Sequence, residues 1–340
     1  MEPIGIAVGG NMVLDYYKEL DVYPAHSTLA TINKISRETG GLVCNCAQAL
    51  SKLDPSIPIT AIGRVGDDEA GVFIRQRLAR FDNIDLSQVG VSGSTSFTDA
   101  MIDLTNKTRT YFQYRGANAQ LCLSDFKLET LAVKILHVGY ILLLDSFDVI
   151  DETYGTLMAR LLHDAQQLGI KTSIDVVSES SDRFKHYVPA ALKYTDYAII
   201  NEYEASQSTG IPVRDAEGTF LVEQALKICR NLFDLGVSTW AIIHSREGAV
   251  GMAADGTTAA WPALDIPHEQ IISTVGAGDA FVSGCLHQAY YGHTLTDAIR
   301  VGIAAASTSL TSFNATDGIL PAKQLLQYYR TVKKEVWPGF

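Results

Sequence analysis

Ser273-Thr274-Val275-Gly276-Ala277-Gly278-Asp279-Ala280-Phe281 is the stretch on which the reading of this chain turns. A small Gly-Ala-Gly turn runs without a break into a helix-compatible stretch, Asp279 to Tyr290. The first amides of a helix lack internal partners and carry the positive end of its dipole, so they suit a phosphate or a developing negative charge. Glycine lets the backbone come close to such an anion without side-chain obstruction. Asp279 falls in the first turn, where the same dipole favours its ionised form. A carboxylate beside an anion cradle can take a proton from a hydroxyl while the cradle holds a transferring phosphoryl group. Alone, a Gly-x-Gly-Asp is more often just a helix start stabilised by an acid, so the flanking sequence has to decide.

Working outward, short β-rich runs alternate with helical spacing. The expected strands are Ile4–Val8, Ile59–Val65, Ile135–Val138, Thr172–Val176, Tyr197–Ile200 and Thr239–His244. Leu157, Leu161, Ala165 and Leu168 share one helical face that stops at Gly169; Val222, Ala225, Cys229 and Leu232 share another that stops at Gly236. Nearly continuous apolar strands between helices predict a mostly parallel α/β sheet covered on both faces. Such sheets bind ligands beyond the carboxyl ends of their strands. Two segments break the alternation. Residues 11–36 hold Asp15-Tyr16-Tyr17-Lys18-Glu19-Leu20 and then irregular polar sequence. Residues 94–116 read as a hairpin of Phe97–Asp103 and Thr108–Tyr114 joined by Leu104-Thr105-Asn106-Lys107. These segments are candidates for a small β lid on a single α/β domain spanning 1–340.

Composition narrows the class. Of 340 residues, 47% are apolar and 19% charged, which describes a chain with a substantial core. A net charge of −11 argues against a nucleic-acid or anionic-membrane surface. Cys44, Cys46, Cys122, Cys229 and Cys285 are scattered through apolar stretches and read as reduced packing residues of a cytoplasmic protein. No histidine or cysteine spacing suggests a metal site, no apolar run reaches the length of a membrane span, and the N-terminus lacks the basic start of a signal peptide.

A second stretch changes the weight of the first. Gly40-Gly41-Leu42-Val43-Cys44-Asn45-Cys46-Ala47 opens a helix with a glycine pair, and Ile62-Gly63-Arg64-Val65-Gly66-Asp67-Asp68-Glu69-Ala70-Gly71 follows. Asn45 offers both a donor and an acceptor, which suits vicinal hydroxyls. Together these stretches resemble the N-terminal signature of the PfkB carbohydrate kinases, G-G-x-x-x-N-x-A and I-G-x-V-G-x-D-x-x-G. The stretch at 273–281 resembles their C-terminal D-T-x-G-A-G-D-x-F. The two lie more than two hundred residues apart in the expected order, and the resemblance runs from about Ile4 to about Tyr329.

The resemblance implies a ribokinase-like fold with a β lid often used for homodimerisation, and ATP with Mg²⁺ as cosubstrate. Carried over by position, Asp279 would be the catalytic base and Gly276, Ala277 and Gly278 the anion hole. Asp15, Gly41 and Asn45 would bind the acceptor. Asn201 and Glu204 match an N-x-x-E element that organises Mg²⁺ and phosphates; alone, the pair would read as a helix start with a surface acid. Ser245 and Gly248 fall at a nucleotide-binding G-x-x-G loop, with serine replacing its first glycine. Ser273 stands where many members carry an aspartate that helps form a monovalent-cation site.

The acceptor is less legible. Arg115, at the end of the hairpin, could pair with a substrate carboxylate or phosphate, or equally belong to the lid or a dimer interface. Related 2-keto-3-deoxygluconate kinases have a Y-x-R element here, and this chain puts Gln113 at the tyrosine. They also tend to carry a second arginine after the strand matching Thr172–Val176, where this chain reads Asp175-Val176-Val177-Ser178-Glu179. A neutral sugar is therefore expected first, then a nucleoside stacking on Phe97, Tyr111 or Phe112. A dinucleotide-binding oxidoreductase is disfavoured because Gly9-Gly10-Asn11 follows the first strand instead of G-x-G-x-x-G. No P-loop is present, and the presence of Asp279 argues against a non-catalytic sugar-binding regulator.

Overall fold

The computed structural model describes residues 3–106, 108–179 and 181–337. In chain order, β1 (Ile6–Gly10), β2 (Val13–Leu20) and β3 (Ile32–Gly40) precede α1 (Gly41–Leu53), β4 (Ile59–Val65), α2 (Glu69–Leu78) and β5 (Ile84–Val91). Next come β6 (Phe97–Asp103), β7 (Thr108–Tyr114), β8 (Ile135–Ile141), a short hairpin of β9 (Ile150–Asp151) and β10 (Gly155–Thr156), and α3 (Leu157–Gln167). Then follow β11 (Lys171–Val176), α4 (Phe184–Leu192), β12 (Tyr197–Asn201), α5 (Glu202–Thr209) and α6 (Val222–Asp234). The chain continues with β13 (Trp240–His244), β14 (Gly248–Ala253), β15 (Thr258–Pro262), α7 (Ala277–Tyr290), α8 (Leu295–Ser309) and α9 (Ala322–Thr331).

One sheet has the order β15-β14-β13-β12-β11-β8-β1-β4-β5. It is parallel from β13 to β5, with an antiparallel edge of β13, β14 and β15. Its strands are apolar on both faces because helices cover both. Ile199 and Ile242 pack into a core with α1, α7, α8 and α9. Their neighbours Ala198, Ile200, Ala241 and Ile243 face the core built with α3, α4 and α6. The expected strands are all present with ends that differ by a few residues. The first starts at Ile6 rather than Ile4, since Gly5 adopts a φ of +98° that interrupts the extended run.

A second sheet has the order β3-β2-β6-β7. The β6–β7 hairpin pairs Phe97 with Tyr114 and Asp103 with Thr108, the register read from sequence. The Asp103 carboxylate accepts from the Thr105 and Asn106 amides and holds the turn; Lys107 lies outside the described residues. After Leu20 the chain is irregular over residues 21–31, as expected, but from Ile32 onward it forms β3. That strand is exposed along most of its length and carries no buried alternation. Its extended form comes from pairing with β2.

The two sheets join where a ligand site belongs. The chain leaves the carboxyl end of β1, crosses Asn11 and Met12, and enters β2; it returns along β3 straight into α1. Asn118 fixes the crossing by bonding Met12 on both sides, accepting from its N–H and donating to its C=O, each at 3.1 Å. At the return, a Cβ on Gly40 would sit 2.0 Å from Asp15 Oδ2, and Gly41 has a φ of +79° with its own Cβ position 2.5 Å from Asn11 O. Only glycines fit this corner.

Candidate active site

Asp279 sits on the first turn of α7, buried to 5% exposure. Gly276 ahead of it has a φ of +78°. The first intrahelical bond runs from Ala280 N–H to Gly276 O, 2.9 Å, so the Gly278 and Asp279 amides have no helical acceptor and remain available to an anion. Oδ2 of Asp279 accepts from Asn45 Nδ2 at 2.8 Å, and the Tyr140 hydroxyl donates to both carboxylate oxygens at 2.8 and 2.9 Å. Burial pushes the Asp279 carboxyl up to about 6, against the hydrogen bonds of Asn45, Tyr140 and Cys46, which favour the charged form. The Cys46 thiol is buried 3.9 Å from Oδ1.

Asp15 belongs to the same neighbourhood. Burial pushes its carboxyl up to about 6, a Thr98 hydrogen bond opposes this, and the charge of Asp279 adds to the rise. The corner at Gly40 and Gly41 places Asp15 beside the start of α1 and, one turn on, Asn45. Arg115 is engaged elsewhere: its Nη1 donates to Leu143 O at 3.0 Å, the carbonyl that Asn11 Nδ2 also reaches at 3.4 Å.

The Asn201–Glu204 element is a capping box on α5. Asn201 Oδ1 accepts from the Tyr203 and Glu204 amides, and Glu204 Oε2 accepts from Asn201 N–H. Glu204 is no surface acid: it is 3% exposed, and Oε1 takes bonds from Asn201 Nδ2 and Ser178 Oγ. Burial pushes its carboxyl up to about 7, its hydrogen bonds oppose this, and Asp279 raises it further. Asp175, at the end of β11, is held well above the usual carboxylate range by burial and by Glu204 and Asp279. Such a cluster suits a cation. Among the described residues no three His, Cys, Asp or Glu side chains are placed to hold a metal alone. Mg²⁺, which keeps water and leans on phosphate oxygens, fits one or two of these carboxylates.

Two cavities meet here. One, of about 560 Å³, is lined by Ser245, Gly248, Leu264, Ile266, Phe281 and Ile303 among others. The other, of about 680 Å³, is lined by Tyr111, Tyr140, Asp175, Glu204, Gly276 and Asp279 among others. Ser178, Asn201, His244, Thr274 and Gly278 line both. Ser245 and Gly248 close the β13–β14 turn, with Ser245 N–H bonded to Gly248 O at 2.8 Å. Ser245 has a negative φ, so the missing glycine strains nothing, while Gly248, at φ +153°, is confined by Trp261 O and Trp337. Sequence reading had not singled out Tyr140 or His244. The His244 imidazole stacks on Phe281 with centroids 4.7 Å apart, and burial pushes its pKa down to about 4.

A 5-dehydro-2-deoxygluconokinase of Geobacillus thermodenitrificans is 24% identical over 98% of this chain and 95% of its own length. Among solved structures, Arabidopsis thaliana ribokinase in complex with ribose and ATP superposes with a TM-score of 0.78 at 20% identity, over 97% of this chain and 99% of that one. A Burkholderia thailandensis nucleoside kinase in complex with inosine gives 0.73 at 18%, over 99% of both. The pfkB family carbohydrate kinase profile matches residues 4–323, and with that span the chain belongs to the pfkB family of carbohydrate kinases.

Proposed function

We propose that this protein transfers the γ-phosphoryl group of ATP to a hydroxymethyl group of a neutral sugar, with Asp279 as general base. The observation that carries this is the position of Asp279: a buried carboxylate lining one cavity, with the open amide of Gly278 on the seam to the next. The acceptor hydroxyl donates its proton to Asp279, its oxygen attacks the γ-phosphorus, and the bond to the bridging oxygen breaks to release ADP. The Gly276–Gly278 turn stabilises the charge on the moving group. Glu204, with Asn201 and Asp175 beside it, would hold Mg²⁺, which neutralises nucleotide phosphates when bound. The β2–β3–β6–β7 sheet acts as the lid that excludes water.

The cavity lining supports a neutral acceptor. Among the described residues Asp175, Glu204 and Asp279 line it with no lysine or arginine, and Arg183 is already paired with Asp148 and Glu179. A gluconate-type acceptor, as the name of the Geobacillus relative would suggest, would bring a further negative charge beside Asp279. A nucleoside is the second reading, favoured by Tyr111, whose half-exposed ring lines the cavity and could stack on a base.

The test is ADP release with Mg-ATP across neutral sugars, sugar acids and nucleosides. An acceptor-dependent signal identifies the class; failure to bind ATP at all would overturn the proposal. The same assay in sodium and in potassium is expected to give equal rates. Ser273, 4% exposed, uses its hydroxyl to accept from Val275 N–H and supplies no carboxylate for a monovalent cation. A clear potassium activation would refute this. We further propose a homodimer through the lid, whose β7 exposes Tyr111, Phe112 and Tyr114 and whose β3 exposes Ile35. Sedimentation is expected to give twice the chain mass, and Phe112→Lys to lower it; a monomeric wild type would exclude the dimer.

A further inference from the structure

We propose that Tyr140 is the positioning residue of Asp279: its hydroxyl locks the carboxylate in one orientation and leaves Oδ1 as the oxygen that takes the acceptor's proton. This rests on the reading of Asp279 as the base. Each carboxylate oxygen offers two lone-pair directions. Oδ2 faces two donors, Asn45 Nδ2 at 2.8 Å and Tyr140 Oη at 2.9 Å. Oδ1 faces Tyr140 Oη at 2.8 Å and otherwise only the weak Cys46 thiol at 3.9 Å. The one proton of the Tyr140 hydroxyl is shared between the two oxygens, so Oδ1, whose other donor is only a distant thiol, is the less saturated oxygen and the one open to a third hydroxyl.

Tyr140 is itself held at both ends. Its N–H donates to Asn11 Oδ1 at 2.9 Å, and Asn11 O in turn receives Val43 N–H of α1 at 3.1 Å. At the preceding residue, a Cβ on Gly139 would lie 2.6 Å from Leu42 Cδ1, so this end of β8 is pressed against α1. The two donors to Asp279 thus come from β8 and α1, elements packed on each other, and the carboxylate on α7 is gripped between them. Cys46 of α1 lies on the same carboxylate. Three acids also surround it: Asp15 on β2, Asp175 on β11 and Glu204 on α5. His244, of β13, packs at Gly278 and is neutral near pH 7. Burial favours a protonated Asp279; the Tyr140 and Asn45 bonds favour the ionised form, which a base must take before it acts.

The experiment is a carbon NMR titration of protein labelled at the aspartate carboxyl carbon. The Asp279 resonance is identified by its loss in Asp279→Asn, and the protein is titrated without ligands as wild type and as Tyr140→Phe. Removing a hydrogen bond to a charged acceptor is expected to raise the Asp279 midpoint by about one pH unit. A merely structural tyrosine would leave it in place, and an unmoved or lowered midpoint overturns the proposal. Thermal unfolding checks that the variant is folded, and Tyr140→Met is the second variant should Phe not fold. The two readings fail separately. An Asp279→Asn protein that still turns over removes the base, whereas an inactive one with an unmoved Tyr140→Phe titration removes only the role of Tyr140.

Discussion

Asp279→Asn is expected to lower turnover by about 10²–10⁴-fold, the usual scale for a positioned general base, with both ligands still bound. The amide keeps the volume of the carboxylate and one acceptor oxygen. Tyr140 can turn its hydroxyl to accept from the new NH₂ group, so the grip of β8 and α1 on α7 survives. What disappears is the group that receives the proton. Because burial pushes Asp279 up to about 6, the wild-type rate should rise with pH through a midpoint near that value. The sign follows from the role: only the ionised form accepts a proton, so activity is present above the midpoint and lost as pH falls through it. The variant's residual rate should lack that limb. Steady-state kinetics between pH 5 and 8, with nucleotide binding measured separately, checks all of this. Unchanged turnover would take the role away from Asp279.

Why Asp279 could be found in the sequence, and Tyr140 could not, has a physical reason. Residues 276–279 act through local backbone geometry: a turn, a helix start and an acid in its first turn, all within a few residues. The β6–β7 hairpin was equally legible because its register is set across a short loop. The parallel strands showed as apolar runs because both of their faces are buried. Tyr140 is an aromatic at the end of a strand, like many others, and its partner lies 139 residues further along the chain. Asn11 and Asn118 likewise work across the junction of the two sheets. The strands β5, β14 and β15 also went unread; β14, Gly248-Ala-Val-Gly-Met-Ala253, has little intrinsic preference for extension and is held by its neighbours on both sides.

The acidic cavity shows the same division. Glu204 looks from sequence like an exposed acid one turn into a helix, yet it is buried against Ser178 and Asn201 and faces two other carboxylates. The concentration of acid in this cavity is a property of the fold, contributed by β11, α5 and α7. On the proposed function it is also the feature that most restricts the acceptor's charge.

Gly276→Ala should be the most damaging small change in the phosphate cradle, costing about 10²–10³-fold in turnover, the scale on which single anion-hole donors are felt. Its φ of +78° is strained for alanine, and the added methyl would lie 2.1 Å from the Ala315 Cβ and 2.9 Å from its Cα. Ala315 has little room to retreat. Asn314 Oδ1 holds the Thr316 and Asp317 amides, and Lys52 binds Thr316 O and the Asp317 carboxylate. The turn at 274–278 must therefore move, and with it the Gly278 and Asp279 amides. A stability loss of about 1–3 kcal/mol should accompany this as a lower melting temperature. Gly278→Ala is the internal comparison: its nearest neighbour, His244 Cε1, lies at 3.7 Å, an ordinary contact, and its φ is not in the left-handed region. That variant should fold as wild type and lose less activity. If the two alanines prove equally harmful, crowding of the phosphoryl group governs the motif; if only Gly276→Ala fails, the left-handed turn that aims the amides does.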